Sequence, residues 1–470
     1  MSEITRLSVT ALAEAVRALR LSPTEIVEGY LARIAEVDPV VEAYVLVLAD
    51  RARADAAARA AEQRAGRFRG PLHGVPVAVK DLMTVQGAPM TAGSVMLGRE
   101  PADEDAAVVR RLREAGAVIL GLTTLNEFAL GTTGVNPHSR TARNPWNLER
   151  MTGGSSSGSA AAVAAGLAPA AIGTDTGGSI RIPAALCGIV GLKPTFGRVS
   201  RRGVFPLAAS FDTVGPMTRT VEDAALLLEA IAGHDVADPD SDPAPVAPYR
   251  DEMRRDPAGM TVGRLSGAFF DADLDPAVVR GLDATARALE SAGVRVRPVT
   301  LPSVDAAHDA QLVVLRYEAA ALHRNQFPGR EAEYNPDVRA LLEQGASVTP
   351  AAVEEAWDVL ARFRASVAEV LAETPVLLCP AVPVGAPRIA DADPGGALWP
   401  EIRRLVGRFT RIFNATGLPA ITLPVSVTAD GLPVAVQMAA RPFAEGWLLS
   451  VARLVEAAVG WSMPDLPARR

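Results

Sequence analysis

Apolar side chains recur along this chain at the spacing of amphipathic helices. In the segment 104–115, Val108, Val109 and Leu112 fall on one face, and residues 445–459 carry a similar stripe near the C-terminus. Such a stripe predicts a helix that packs one face against a core. The same periodicity predicts helical structure over 8–37, 41–65, 276–292 and 351–372. Within the first of these regions, Ser22-Pro23-Thr24-Glu25 is a helix start signal, with serine as N-cap, proline at N1 and glutamate at N3.

Short, continuously apolar segments alternate with these helices. Gly74 to Val79, Ala117 to Leu120, residues 261–265 and Val376 to Leu378 have the pattern of buried strands. Alternating helices and strands predict an α/β fold, with helices packed on the faces of a sheet. Proline and aspartate dominate residues 235–259, which predicts an exposed loop. Since no repeat or domain-splitting linker is evident, we expect the whole chain to form a single large domain.

Composition and charge narrow the classes of function. Hydrophobic residues make up 49% of the chain and charged residues 21%, as in soluble globular proteins. The net charge of −7 and the lack of a basic block give no reason to expect a nucleic-acid partner. The first six residues do not resemble a secretory signal, and no apolar run reaches the roughly 18 residues of a membrane span. We therefore expect a cytoplasmic protein without a membrane or nucleic-acid partner.

Two Gly/Ser-rich segments are the strongest candidates for chemistry. The first runs from Gly153 to Ser159 and includes Ser155, and the second contains Ser179 within residues 173–183. A serine that attacks a carbonyl group needs a base, and the oxyanion that forms needs preorganised hydrogen-bond donors. Gly177 and Gly178 permit a tight turn whose backbone N–H groups converge on one point, so the second segment suits such donors.

Lys80 is the candidate base. It directly follows the apolar residues of the strand predicted to end at Val79. Burial of a lysine lowers its pKa, and the neutral amine can then act as a general base. The lysine and the two loops therefore predict a serine-based acyl transfer.

A different serine would be the nucleophile in a Ser-His-Asp α/β-hydrolase. Residues 154–158 satisfy the pattern G-x-S-x-G, with Ser156 at its centre. That motif requires a strand immediately before it, and residues 147–152 do not predict one. The chain has five histidines, and those after Asp212 are in no recognisable triad context: His234, His308 and His323.

A phosphate-binding module is another alternative, because Gly/Ser turns at helix N-termini can hold phosphate. Gly153 to Ser159 would form the turn, with Lys80 as counter-charge. The chain lacks the fingerprint G-x-x-x-x-G-K-[ST], and it also lacks H-x-x-x-H and C-x-x-C. We therefore expect neither a cofactor nor a metal ion.

The two loops and their surroundings resemble a known family. The strings GGSSSGSAAAVAAG and GTDTGGSIRIPAALCGIVGLKPT are similar to the signature of the amidase signature hydrolases. Four other stretches are also similar: PLHGVPVAVKD, TLNEFALGTTG, RNPWNLER and NATGLPAITLP. The resemblance covers most of the chain, is strongest from about 70 to 220 and is weakest from about 235 to 400. We expect the divergent region to shape substrate specificity.

The resemblance implies a fold, an activity and roles for particular residues. The implied fold is a single α/β domain with a central mixed β-sheet covered by helices on both faces, compatible with a homodimer. Lys80 would be the catalytic base, Ser155 a bridging serine after a cis peptide bond, and Ser179 the nucleophile. The oxyanion hole would consist of backbone amides, those of Thr176, Gly177, Gly178 and Ser179. Asp175 is expected to brace this loop through backbone hydrogen bonds. Arg181 could bind a substrate carboxylate, but pairing with a nearby acid is favoured.

The substrate is less defined. Motif proximity suggests six pocket residues: Met83, Leu125, Phe128, Thr132, Thr133 and Phe205. Because four of them are apolar, we expect a small-molecule amide with a neutral or aryl acyl group, and possible ester or carbamate activity.

The same family contains the ammonia-releasing subunit of the glutamine amidotransferase for tRNA-dependent transamidation, which is the alternative function. The resemblance implies that in this glutaminase component an acidic residue just before the NxxGLPA motif recognises the glutamine amine. Here no acidic residue occurs between Glu401 and Asp430. A stand-alone amidase is therefore favoured.

Overall fold

A central 11-stranded mixed β-sheet organises the molecule, and helices flank it. The computed structural model describes residues 3–394 and 396–466. The strands are β1 Tyr44–Val47, β2 Pro76–Lys80, β3 Val118–Thr123, β4 Ala170–Asp175, β5 Val190–Lys193, β6 Thr213–Thr218, β7 Thr261–Leu265, β8 Arg295–Val299, β9 Val376–Pro380, β10 Ala420–Val427 and β11 Pro433–Ala440. Their order across the sheet is β1-β3-β2-β4-β6-β5-β10-β11-β9-β7-β8. The predicted α/β class, with one large domain, is confirmed.

The helices account for nearly half of the remaining chain. They are α1 Glu3–Arg6, α2 Val9–Arg17, α3 Pro23–Val41, α4 Ala49–Arg64, α5 Ala107–Glu114, α6 Ser157–Ala164, α7 Arg181–Cys187, α8 Val221–Ile231, α9 Tyr249–Glu252, α10 Ala268–Asp271, α11 Pro276–Ser291, α12 Val304–Gln326, α13 Pro336–Ala346, α14 Pro350–Glu373, α15 Trp399–Val406, α16 Arg411–Ala415 and α17 Glu445–Val459. A search of the described helices finds none with the length and apolar character to span a bilayer.

Two hydrophobic cores lie on opposite faces of the sheet. Successive side chains of a strand point to opposite faces. In β9, Val376 and Leu378 join the larger core, whereas Leu377 and Cys379 join the second core. The sheet is therefore buried on both sides, which explains why its strands are continuously apolar rather than alternating.

The region 8–37 is helical as predicted, and it consists of two helices, α2 and α3, the second of which begins at the predicted start signal. Ser22 caps α3 through its Oγ, which accepts a hydrogen bond from the Glu25 N–H at 3.2 Å. The Glu25 carboxylate in turn accepts from the Ser22 N–H at 2.8 Å. This capping box, with Pro23 in the first turn, starts a new helix.

The helix predicted over 41–65 is wrong in its first third. Residues 44–47 form β1, which pairs antiparallel with β3, and the helix begins only at Ala49. Pairing with a distant strand outweighs the local helical pattern here. The predicted exposed loop at 235–259 contains the one-turn helix α9.

The sheet topology brings two strand ends together. β2 is hydrogen-bonded to β3 and β4, and all three strands run parallel. The carboxyl ends of neighbouring parallel strands lie at one edge of a sheet, where α/β proteins commonly place their binding crevices. Lys80 ends β2 and Asp175 ends β4, so these two residues share that edge.

Candidate active site

Lys80 is completely buried at the end of β2. Its Nζ lies 2.8 Å from Ser155 Oγ and 2.7 Å from Thr174 Oγ1. Burial lowers the pKa of this lysine to about 7, although the carboxylates of Asp212 and Asp175 oppose the shift. The ammonium form therefore loses its proton near neutral pH, and the amine is in contact with a serine hydroxyl.

Hydrogen bonds and close packing fix the backbone of the Ser155 loop. The peptide bond between Gly154 and Ser155 is cis. The Gly154 N–H donates to the Thr132 carbonyl at 2.8 Å, and the Ser155 carbonyl accepts from the Asn126 N–H at 3.3 Å. A Cβ atom on Gly154 would collide with Asn126 Oδ1, so only glycine fits at this position.

Ser156 is engaged in the structure of the loop itself. It is completely buried, its Oγ donates to the Thr174 carbonyl at 3.2 Å, and the same oxygen accepts from the Thr174 N–H at 3.3 Å. Residues 147–152 form no strand, so the context of a nucleophile elbow is missing.

None of the five histidines hydrogen-bonds to a serine of these loops. Their side chains instead contact Arg59, Glu127, Ser241, Asp309 and Tyr334. The described residues thus provide no Ser-His pair around Ser156.

The Ser179 loop is built on a buried ion pair between Asp175 and Arg181. The Arg181 Nη2 donates to Asp175 Oδ1 at 2.8 Å, and its Nε donates to Oδ2 at 2.9 Å. Burial alone would raise the pKa of Asp175, but Arg181 and a hydrogen bond from Asn414 lower it to about 2. The predicted roles of Asp175 as a brace and of Arg181 as its partner are confirmed.

The peptide groups before Ser179 have fixed orientations. The Gly178 N–H donates to Asp175 Oδ1 at 2.8 Å, so one of the four predicted oxyanion donors already has a partner. The Thr176 carbonyl accepts from Gln311 Nε2 at 3.1 Å. Because N–H and C=O point in opposite directions across a trans peptide, this bond turns the Gly177 N–H away from Gln311. The amides of Thr176, Gly177 and Ser179 are the remaining candidate donors.

The two loops meet directly at the nucleophile candidate. The Ser156 N–H donates to the Ser179 carbonyl at 3.1 Å. Ser179 is 6% exposed, whereas Ser155, Ser156 and Ser157 are completely buried. Ser179 is therefore the serine of this cluster that a carbonyl group can reach.

A cavity of about 220 Å³ lies beside Thr174, which hydrogen-bonds to Lys80, and beside Thr176, which precedes Ser179 by three residues. Thr174 and Thr176 line it, and Thr176 Oγ1 donates to the buried Asp212 carboxylate at 2.5 Å. Phe205, one of the six predicted pocket residues, also lines this cavity.

The other predicted pocket residues have different surroundings. Met83 is completely buried in the larger core, and its neighbour Leu82 lines the cavity instead. Leu125 and Phe128 belong to the second core, where the Phe128 ring lies 5.0 Å from that of Phe205. The Phe128 ring therefore supports the cavity wall at Phe205.

The two predicted threonines lie on the segment that holds the Ser155 loop. The Thr132 carbonyl accepts from Gly154, and Thr133 Oγ1 accepts from the Val135 N–H at 3.3 Å. Neither threonine is among the residues that line the 220 Å³ cavity, and the Thr132 carbonyl fixes the backbone of Gly154.

Sequence reasoning missed several residues that contact the site. Thr174 hydrogen-bonds to the Lys80 amine. The Asp212 carboxylate opposes the lowering of the Lys80 pKa by burial and accepts a hydrogen bond from Thr176. Thr174 lies two residues before Thr176, and residues two apart in a strand face the same side of a sheet. This spacing was the available signal for Thr174. Arg411 was also missed, although it lies three residues before Asn414, the first residue of the NATGLP string.

Comparisons with known proteins show the family to which the chain belongs. The family model described as Amidase matches residues 25–449. An amidase from Pseudomonas putida is 41% identical over 467 residues, covering 98% of both chains. A glutamyl-tRNA(Gln) amidotransferase subunit from Roseiflexus sp. (strain RS-1) is 37% identical and covers 99% of this chain and 100% of its own.

The fold of a solved structure is also closely similar. That structure, of a vestigial protein complex bearing on the origins of an s-triazine catabolic enzyme, has a TM-score of 0.91. It is 33% identical and covers 96% of this chain and 98% of its own. Family model, relatives and fold point the same way: the chain belongs to the amidase family, whose members include both amidases and amidotransferase subunits.

Proposed function

We propose that the protein hydrolyses the C–N bond of a small-molecule amide through an acyl-enzyme on Ser179. Neutral Lys80 takes the hydroxyl proton of Ser155 while Ser155 takes that of Ser179, so the Ser179 Oγ attacks the carbonyl carbon. The N–H groups of Thr176, Gly177 and Ser179 stabilise the oxyanion. The C–N bond then breaks as the leaving amine receives the proton back through Ser155.

The second half of the reaction reverses the roles. Water attacks the acyl carbon and gives its proton to the same relay. The bond between the acyl carbon and Ser179 Oγ breaks, Ser179 recovers a proton and the carboxylic acid leaves. The oxyanion donors act whatever group leaves, so ester and carbamate hydrolysis follow as side activities.

One observation carries this proposal. A fully buried lysine with a pKa of about 7 contacts Ser155, and the next residue along the chain hydrogen-bonds to Ser179. A surface lysine or a capping serine would need neither the burial nor this contact. The arrangement therefore fits a proton relay rather than a structural role.

The alternative is the glutaminase component of an amidotransferase, because such proteins are among the close relatives. It needs a partner for the glutamine ammonium. The region from 402 to 429 contains no acidic residue, and Arg411 is buried within it beside the Ser179 loop. This favours the stand-alone amidase. Ammonia release from amides by the purified chain alone separates the two functions.

The pH dependence tests the lysine as base. We expect kcat/KM to rise through about pH 7 and then level off, because the active form of Lys80 is deprotonated. The measurement uses an amide that does not titrate between about pH 5.5 and 9.5. A flat profile, or one that falls as pH rises through 7, would contradict this role.

Two other buried groups titrate in the same range and provide controls. Burial raises the pKa of Asp81 and lowers that of Lys193, each to about 7. Asp81 hydrogen-bonds to Thr91, and Lys193 Nζ donates to the Pro194 carbonyl at 2.9 Å. Asp81→Asn and Lys193→Met should therefore keep the pH profile of the wild type.

A further inference from the structure

A second cavity, of about 570 Å³, lies beside the Ser179 loop and is strongly basic. Five arginines line it, together with two aspartates, Asp305 and Asp309. The Asp309 side chain is 80% exposed and so is screened by solvent. The arginines are Arg316, Arg403, Arg404, Arg408 and Arg411.

Arg411 is the most buried of these cations. It is 6% exposed, and its Nε has no hydrogen-bond partner among the described residues. Its hydrogen bond in the structure is a weak one, from Nη1 to the Gly407 carbonyl at 3.4 Å. Burial and the nearby charges of Arg403 and Arg316 lower the pKa of Arg411 to about 9.

The neighbouring groups lack ion-pair or hydrogen-bond partners in the same way, although the Arg403 guanidinium lies 4.6 Å from the centre of the Trp399 ring. Arg316 and Arg403 form no ion pair within the described part of the chain, and the Nε of each is buried without a partner. Trp399 Nε1 and His308 Nε2 are also buried and unpaired. An uncompensated buried charge is costly, so this set of donors fits an anion that the structure does not hold.

The basic cavity reaches the loop that carries the nucleophile. Thr410 Oγ1 donates to the Gly177 carbonyl at 2.7 Å. A Cβ atom on Gly177 would lie 3.5 Å from Arg411 Cγ, so the arginine stem packs against that glycine. The guanidinium and the candidate oxyanion donors are therefore parts of one wall.

Gly407 makes the space that the guanidinium occupies. A Cβ atom on Gly407 would lie 2.5 Å from Arg411 Nη1 and 2.8 Å from Nη2. The backbone of Gly407 is helical, with φ −87° and ψ −1°, so alanine is allowed there. The guanidinium position thus depends on the missing side chain at 407.

We propose that this cavity binds a carboxylate on the acyl part of the substrate, and that Arg411 is the main specificity-determining residue. The planar guanidinium pairs with a carboxylate through two parallel hydrogen bonds. The substrate is then the monoamide of a dicarboxylic acid. The inference rests on the proposed amide hydrolysis and specifies its substrate.

This proposal differs from the expectation of a neutral or aryl acyl group. That expectation depended on apolar pocket residues, but Met83, Leu125 and Phe128 lie in the cores. The arginines also repel an ammonium group. Free glutamine should therefore be a poorer substrate than the same molecule without its amine.

Matched substrates test the inference. The monoamides of four-, five- and six-carbon diacids are each compared with the fatty amide of equal length, and glutaramate is also compared with L-glutamine. We expect kcat/KM to favour the best monoamide over its neutral match by about 100-fold. Glutaramate should exceed glutamine by at least about 10-fold.

Variants assign the effect to Arg411. Arg411→Gln should lower the ratio of monoamide to neutral amide by at least about 10-fold. Gly407→Ala should lower it too, because the guanidinium must move. Arg280→Gln is the control: it removes the same charge from an exposed position on α11, and the ratio should not change.

The outcomes separate this inference from the proposed function. Equal kcat/KM for monoamides and neutral amides, or an unchanged ratio in Arg411→Gln, overturns the carboxylate site while amide hydrolysis stands. Failure to hydrolyse any amide overturns the proposed function. The cavity is then tested by calorimetry with succinate, glutarate and adipate: binding that weakens in Arg411→Gln supports it, and no binding overturns it.

Discussion

Ser179→Ala is expected to lower kcat by at least about 10⁴-fold while the protein stays folded. The substitution removes the atom that would form the acyl-enzyme. It should disturb the fold little, because the structure gives the Ser179 side chain no hydrogen bond to a described residue, and alanine fits the same space. Steady-state kinetics and the melting temperature check the two parts of this expectation.

Ser156→Ala is the matched control on the opposite loop. It leaves the Thr174 N–H without its acceptor, so we expect a loss of about 1–3 kcal/mol in the free energy of unfolding. Turnover should be retained. An inactive Ser156→Ala variant beside an active Ser179→Ala variant would mean that the nucleophile is the serine of the G-x-S-x-G pattern.

Lys80→Met and Ser155→Ala are each expected to lower kcat by about 10³- to 10⁴-fold. Either change interrupts the path of the proton from Ser179 to the lysine amine. Methionine has a similar length to lysine and suits the apolar burial of position 80. The measurement is kcat for both single variants and for the double variant.

The double variant decides whether the two residues act as one relay. Groups that act as a unit are strongly non-additive, so the double variant should be no slower than the slower single variant by more than about tenfold. If the two losses multiply, Lys80 and Ser155 act independently. That result would contradict the relay.

The sequence predicts the fold best where local pattern and tertiary environment agree. β7 and α17 have the predicted bounds, 261–265 and 445–459. β1 was missed because its four residues are identified only by their pairing with β3. Periodicity alone does not separate α2 from α3, but the capping signal at Ser22 predicts where the second helix begins.

The candidate site follows the same rule. Lys80, Ser155 and Ser179 lie in local motifs, and the structure brings their segments together. Asp212 and Arg411 act through contacts across the fold, and an arginine in a sequence gives no sign that it is buried without a carboxylate. The pocket residues are the least predictable from the sequence, because proximity to a motif does not indicate which way a side chain points. Leu82 lines the cavity, for example, and Met83 does not.

Covalent labelling of the nucleophile tests the central claim most directly. An aryl fluorophosphonate would form a P–O bond with the reactive serine and release fluoride. Trypsin leaves the candidate serines on one peptide, because no lysine or arginine lies between Arg150 and Arg181. A second cleavage on the N-terminal side of Asp175 separates Ser155 and Ser156 from Ser179. We predict one adduct, on Ser179, that is absent in Ser179→Ala, retained in Ser156→Ala and slower to form in Lys80→Met. An adduct on Ser155 or Ser156, or labelling of Ser179→Ala at the wild-type rate, would contradict this account.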